Sequence, residues 1–191
     1  TFTLTVTAVN DAPELASIEN QTTAEETSLD ITLSVADIDG DNLSYTAVSD
    51  NEGVTTSVSG DIITLTPASD FNGIATITVT VSDDGDPVLT DSDSFVLTVT
   101  AVNDAPVLVD IDDQTVNEDN AIEIVLTATD ADGDAVTYSA ESDTVDVTAS
   151  VSGSLLTLTP ALNFNGTATI SVTANDGTVD SDTKTFTLTV T

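Results

Sequence analysis

The sequence predicts an all-β protein built as two similar β-sandwiches in tandem, and three observations lead there. The first is alternation. Ile31, Leu33 and Val35 are separated by Thr32 and Ser34, and Ile77, Val79 and Val81 by Thr78 and Thr80. That is the period-two pattern of a strand with one face in a core and the other in water. The second is punctuation, with Gly and Asp clusters interrupting these runs at roughly the 8–12-residue spacing of a sandwich. The third is an internal repeat: Val9-Asn10-Asp11-Ala12-Pro13 recurs as Val102-Asn103-Asp104-Ala105-Pro106, 93 residues on. No segment has helical spacing.

The repeat runs through the whole unit. At the same offset Asp37-Ile38-Asp39-Gly40-Asp41 falls on Asp130-Ala131-Asp132-Gly133-Asp134, Tyr45 on Tyr138, and Phe71-Asn72-Gly73 on Phe164-Asn165-Gly166. After Asp83 and Asp176 the offset becomes 91, because Phe95 matches Phe186, so the turn over 84–90 holds two additional residues. Phe2, Leu4 and Val6 also match Phe95, Leu97 and Val99. The expected organisation is therefore 1–8 as the last strand of a truncated upstream repeat, 9–101 as the first repeat and 102–191 as the second. On this reading the chain is an excised piece of a longer protein.

Strands are expected near 15–19, 28–36, 42–48, 54–59, 61–66, 74–82 and 93–100. In the second repeat they fall near 107–117 (broken), 121–129, 135–141, 144–151, 154–159, 167–174 and 182–190. About seven strands per repeat is the number in a small immunoglobulin-like Greek-key sandwich. Val and Thr dominate these runs and suit a half-buried pleated surface. Leu33, Val35, Tyr45, Leu65, Phe71, Ile77, Val79, Phe95, Leu97 and their counterparts are the expected core. Repeats this short bury small cores.

Charge narrows the function. There are 34 acidic residues against one basic residue, giving a formal charge of −33, with no His, Cys, Met or Trp. Phosphate neutralisation needs clustered Lys and Arg, so nucleic acid is excluded as a partner. Contact with an anionic membrane fails for the same reason. Disorder is the other outcome for such a charge, but 39% of the residues are hydrophobic and fall in alternating runs. No apolar run approaches the ~18 residues of a membrane span. Without Cys, the chain fits either the cytosol or a bacterial exterior where metals replace disulfides. With no His, Cys or Arg, acid–base chemistry is left to carboxylates, Lys184, Tyr45 and Tyr138, and no enzyme is expected.

Three acidic clusters recur once per repeat. Asp37-x-Asp39-Gly40-Asp41 and Asp130-x-Asp132-Gly133-Asp134 each close an apolar strand. Residues i and i+2 of a strand share a face, so Asp37 and Asp39 can converge where the strand gives way. Converging carboxylates repel unless a cation lies between them, and an all-oxygen donor set favours Ca²⁺. A plain polar turn is the other reading of Asp-Gly. The pattern is no EF-hand: Gly stands fourth rather than sixth, and no Glu stands twelfth. The second cluster is the linker Asn10-Asp11-Ala12-Pro13 and Asn103-Asp104-Ala105-Pro106, stiffened by its Pro or simply an Asx-type turn. The third is Glu25-Glu26, matched by Glu118-Asp119, together with Asp83 and Asp176. Alone, each of these would be ordinary surface charge.

Together these positions resemble the cadherin repeat. The stretch from Asn117 to Ala140, NEDNAIEIVLTATDADGDAVTYSA, looks like the cadherin segment with a base Glu, an A-x-D-x-D turn and a tyrosine strand. Ile170 to Gly177, ISVTANDG, is similar to the family's A-x-D-G signature, and VNDAP to a shortened D-x-N-D-N-x-P linker. The likeness is greatest to bacterial cadherin-like repeats of large secreted, RTX-type surface adhesins. The resemblance implies calcium ions at the joint between consecutive repeats. Glu25 or Glu26 would come from the first repeat, Asn103 and Asp104 from the linker, and Asp130, Asp132 and Asp176 from the second repeat. By the same mapping Asn10, Asp11, Asp37, Asp39 and Asp83 belong to the preceding joint, and Glu118 to the following one. The family's D-R-E motif is absent, and Ala8, Ala101, Ala12 and Ala105 stand where linker ligands are expected. Fewer ions than in a full cadherin joint are therefore expected.

The function implied is that of calcium-rigidified extender repeats of a large bacterial cell-surface adhesin, secreted, extracellular and monomeric. Its partners would be calcium and neighbouring repeats of the same chain. The alternative is direct adhesion, homophilic or to a glycan. No Trp is present to anchor a strand exchange, and exposed aromatic platforms are scarce.

Overall fold

A computed structural model describes residues 1–7 and 9–191. It divides into two compact units, Thr1–Val102 and Asn103–Thr191. The first holds β1 (Glu14–Leu15), β2 (Gln21–Ala24), β3 (Leu29–Thr32), β4 (Val35–Ala36), β5 (Ser44–Ser49), β6 (Val54–Ser59), β7 (Ile62–Pro67), β8 (Gly73–Ser82) and β9 (Thr90–Thr100). One sheet runs β2-β9-β8-β5 and another β3-β7-β6, with β1 paired to β4. The second unit repeats this plan. Its elements are β10 (Val107–Leu108), β11 (Gln114–Val116), β12 (Ile122–Val125), β13 (Ala128–Thr129), β14 (Thr137–Ser142), β15 (Val147–Ser152), β16 (Leu155–Pro160), β17 (Gly166–Asn175) and β18 (Lys184–Val190). Its sheets run β11-β18-β17-β14 and β12-β16-β15, with β10 paired to β13.

Among the described residues each unit has nine segments where about seven strands were expected: the runs over 28–36 and 121–129 each divide in two, 107–117 is broken as expected, and β2 lies beyond the expected strand at 15–19. The run over 28–36 divides because its two halves take different partners: β3 pairs with β7, a ladder whose last bond runs from the Leu33 amide to the carbonyl of Asp61 at 2.7 Å, and β4 pairs with β1. Leu126 does the same with Ser154, at 2.8 Å. The strand expected near 15–19 is short: β1 pairs with β4, and the chain then crosses to the other sheet, where β2, outside any expected strand, pairs parallel with β9. The parallel pairing was not foreseen. Residues 1–7, expected as a strand, join no ladder and are exposed. A strand needs a partner, and β2 and β8 already flank β9, whose sequence they echo.

The crossing explains part of the acidic charge. Amides at the end of β1 and in the crossing that follows are met by side chains of β9: Leu15 donates to Asp91 at 2.8 Å and Ile18 to Asp93 at 2.6 Å. Asn20 returns the favour by accepting from Val96 at 2.9 Å, as Asp113 does from Thr187 at 2.7 Å. Asp50 and Asp143 likewise accept from Thr76 and Thr169. These carboxylates replace missing ladder bonds, since a buried amide without a partner is costly.

The cores are the alternating residues of the long strands. Ile63, Leu65, Ile77, Val79, Val81 and Leu97 are fully buried in the first unit, and Leu156, Leu158, Ile170, Val172 and Leu188 in the second. Each full burial of this kind contributes about 1.5–3 kcal/mol. Of the expected core, Leu33 and Phe95 are also buried, while Val35, Tyr45 and Phe71 are partly buried and packed against it. Phe71 lies over Gly53, where an added Cβ would come within 2.2 Å of the ring. Gly53→Ala is therefore expected to destabilise the first repeat by about 1–3 kcal/mol through overpacking, read as a lower urea midpoint.

Candidate metal centre

The acidic turn begins where β4 ends. Asp37 follows Ala36 directly, and the chain then reverses at Gly40, whose φ of +75° favours glycine. Asp37 Oδ1 accepts from the amides of Asp39, Gly40 and Asp41 at 3.0, 2.8 and 3.2 Å. Its other oxygen, Oδ2, is buried with no hydrogen-bond partner. Carboxylate oxygens of Asp37, Asp41 and Asp83 all lie within 4.8 Å of one another. Asp41 was not among the expected ligands. It joins because the strand rule stops at Asp37: once the chain turns, the residue brought back over Asp37 is the fourth along, not the second. Asp39 instead turns Oδ2 to the amide of Asp11, at 2.8 Å.

Asp83 closes β8 from the far side of the sandwich and is buried. Burial pushes its carboxyl upward, but the Leu89 amide, the Asn10 side chain and the Gly85 amide outweigh this and hold it below the ordinary value. Asn10 Nδ2 donates to Asp83 Oδ2 at 2.9 Å, so the linker Asn is fastened to the strand end. Gly85 permits this contact, since a Cβ there would lie 2.2 Å from Asn10 Oδ1. Asp41 is pushed the other way, above the ordinary value, by desolvation and then by the charges of Asp37, Asp84, Asp39 and Asp83. Carboxylates are thus crowded here without a counter-charge.

The second unit has the same plan. Asp130 Oδ2 is buried without a partner, and Asp130 Oδ1 accepts from Asp134 at 3.0 Å. Asp132 accepts from the Asp104 amide at 2.8 Å. Asn103 Nδ2 donates to Asp176 Oδ2 at 2.9 Å. Asp176 is held below the ordinary carboxyl value by the Val179 amide, the Asn103 side chain and the Thr178 amide.

The remaining expected ligands separate by burial. Glu25 is buried: one oxygen accepts from the Val102 amide, while Oε2 is buried with no partner. Glu26 is exposed at a φ of 58° and turns away as the corner residue of its turn. Glu118 is exposed, its backbone bound to Thr191 and Asn120. Ala8 lies outside the described residues. Among the described residues no helix is long and apolar enough to cross a membrane.

Among the described residues three buried side-chain oxygens lack a partner, those of Glu25, Asp37 and Asp130, and all belong to carboxylates. A buried anionic oxygen lacking a donor is costly to hold. A set made wholly of carboxylate, amide and backbone oxygen, in a chain without His or Cys, suits a hard ion such as Ca²⁺. The residues present fit calcium.

Fold and site together define tandem immunoglobulin- and cadherin-like β-sandwich domains. The family model for the bacterial Ig domain matches residues 10–100 and again 103–189. The chain belongs to the bacterial Ig domain family. None of the curated proteins matches it. Among solved structures it is similar to Drosophila N-cadherin EC1-4, at 19% identity and a TM-score of 0.56 over 95% of this chain and 50% of that one. It is similar to protocadherin gamma B2 extracellular cadherin domains 1-5, at 20% identity and a TM-score of 0.56 over 96% of this chain and 41% of that one. Human mucin-like protocadherin EC1-2 matches at 19% identity and a TM-score of 0.52, over 94% of this chain and 98% of that one. The chain spans half or less of the first two, and these likenesses concern the fold.

The lowered carboxyls carry a pH signature. A carboxyl whose folded pKa lies below its unfolded value stabilises the fold above the unfolded value, and the contribution is lost as pH falls through the folded one. For Asp176 that window opens near the ordinary value of 3.8 and extends below it. In calcium-free buffer, wild type is therefore expected to be more stable than Asp176→Asn at neutral pH, and this advantage should shrink as pH drops below 3.8. Urea unfolding of the two proteins at a series of pH values measures it.

Proposed function

We propose that these repeats bind calcium at their acidic turns and serve as extender segments of a large bacterial cell-surface adhesin. The observation that carries the calcium reading is the buried, partnerless Oδ2 of Asp37, repeated at Asp130 at the same place in the second unit. The ligands we assign are Asp37, Asp41, Asp83 and Asn10 in the first repeat, and Asp130, Asp132, Asp176, Asn103 and Asp104 in the second. Asp39, Asp11 and the buried Glu25 complete the set. Bound calcium neutralises the crowded carboxylates, and the Asn amide presents its oxygen when it ligates.

In this reading calcium is a mechanical part. With the linker Asn fastened to a strand-end Asp in each repeat, an ion at the acidic turn stiffens the connection between successive repeats. Without calcium, repulsion loosens it. A string of such repeats projects a distal binding domain from the cell, in an extracellular setting where free calcium sustains modest affinities of roughly 10⁻⁴–10⁻³ M. We assign no catalysis to the chain, and no partner beyond calcium and neighbouring repeats. Direct adhesion has less to draw on: Tyr45, Phe71, Tyr138 and Phe164 pack against the cores, and Phe95 and Phe186 lie within them.

Calcium at about a hundredfold excess over Kd is expected to stabilise the fold by about 2.7 kcal/mol per site, seen as a rise in Tm. Asp130→Ala should abolish most of the part contributed by the second repeat. Small-angle scattering should show a longer, narrower distance distribution in calcium than in chelator. A melting curve and scattering profile that ignore calcium would refute the reading and leave the charge as a solubility device.

A further inference from the structure

The two acidic turns differ in how they are held. In the first repeat, Asp37 Oδ1 gathers three amides, from Asp39, Gly40 and Asp41. The next residue, Asn42, then grips Asp84 twice, its amide donating to Oδ1 at 2.9 Å and its Nδ2 to Oδ2 at 2.8 Å. Asp84 directly follows Asp83. The two-pronged bond therefore ties the end of the turn to the strand end that carries the third carboxylate of the cluster. Bonds to an ionised acceptor are the stronger kind.

The second repeat lacks this tie. Ala135 stands where Asn42 does and Gly177 where Asp84 does, and neither side chain can make the bond. Among the described residues Asp130 Oδ1 accepts from the Asp134 amide, where Asp37 Oδ1 accepts from three. Asp41 sits within 4.8 Å of Asp37 and Asp83; among the described residues, Asp134 forms no such group with Asp130 and Asp176. A turn ordered in advance loses less conformational freedom when an ion arrives than one that must be ordered by it.

We propose that Asn42 and Asp84 form a latch that holds the first repeat's acidic turn in its ion-ready shape without calcium, whereas the second repeat's turn is ordered by calcium itself. The proposal rests on the calcium reading above. It makes Asn42 and Asp84 positioning residues: neither contributes an atom to the ion, and both set how readily Asp37, Asp41 and Asp83 take one. Repeats of the same fold then respond to calcium differently, one as a preset clamp and one as a sensor.

Amide hydrogen exchange on the whole chain, in chelator and then in saturating calcium, reads both turns at once. In chelator, Gly40, Asp41 and Asn42 should exchange at least about tenfold more slowly than Gly133, Asp134 and Ala135, the gap expected of a locally closed turn. Calcium should close that gap by slowing the second turn. Asn42→Ala should bring the first turn to the rate of the second. It should also weaken, by roughly tenfold, the calcium binding that Asp37→Ala removes, leaving the binding that Asp130→Ala removes unchanged. The amides of Ile77 and Val79 report whether the variant core is intact, and Asp84→Ala is the second variant if it is not. Equal exchange of the two turns in chelator, or an Asn42→Ala protein that matches wild type in exchange and affinity, would overturn the latch. A wild-type chain indifferent to calcium would overturn the calcium reading, and the chelator comparison would still decide the latch.

Discussion

A carboxylate oxygen that has left water without gaining a donor is poorly stabilised, and the remedy is a donor, a proton or a cation. Asp37 and Asp130 each carry one such oxygen at the point where a core strand stops and an acidic turn begins. The other features of that end of the sandwich are arranged around it. Amides of the turn occupy the first oxygen of Asp37, the linker Asn is bound to Asp83 or Asp176, and the glycine at the corner lets the chain double back. What is left unsatisfied is negative, buried and built of oxygen. In the calcium reading proposed above, a divalent cation answers all three conditions at once.

The net charge of −33 is not one phenomenon. A portion of it is structural in a narrow sense. Asp91 and Asp93 bind amides where the first strand leaves its sheet, Asp113 binds the Thr187 amide of β18, and Asp50 and Asp143 bind the amides of Thr76 and Thr169. These carboxylates take the place of ladder carbonyls and need no ion. Another portion, at Asp37, Asp41 and Asp83, is crowded like with like. Electrostatics inside one sandwich therefore takes two forms: some acidic residues finish the backbone's hydrogen bonding, and others, crowded together, are the ones the calcium reading assigns to an ion.

The repeats share cores and diverge at their edges. Asp93, which accepts from Ser17 and Ile18, is replaced at the matching position by Lys184, the single cation, which pairs with Asp110 at 2.6 Å. The bond changes direction, and the strand crossing it braces survives. The Asn42–Asp84 tie has no such substitute in the second repeat. Buried positions are constrained by close packing on all sides, so Ile77 and Ile170 or Leu97 and Leu188 interchange with little change. Edge contacts admit several chemistries for one mechanical task.

The alternation of Thr with Val, Ile and Leu, the duplication of Val-Asn-Asp-Ala-Pro and the Asp-x-Asp-Gly-Asp turns were enough to establish an all-β tandem, its repeated core and the end at which its acidic residues gather. These are local signals, since a strand's inward face is written in every second residue. The approach of Asp41 to Asp37 and Asp83 was not legible. Nor were the parallel pairing of β2 with β9, the break at Leu33, the burial of Glu25 against the exposure of Glu118, or the grip of Asn42 on Asp84. Each depends on where the chain lies after it has turned or crossed between sheets, and on a partner as many as 77 residues away. Such distances close only when the core has formed, so tertiary structure alone decided which of the many carboxylates meet and which merely face water.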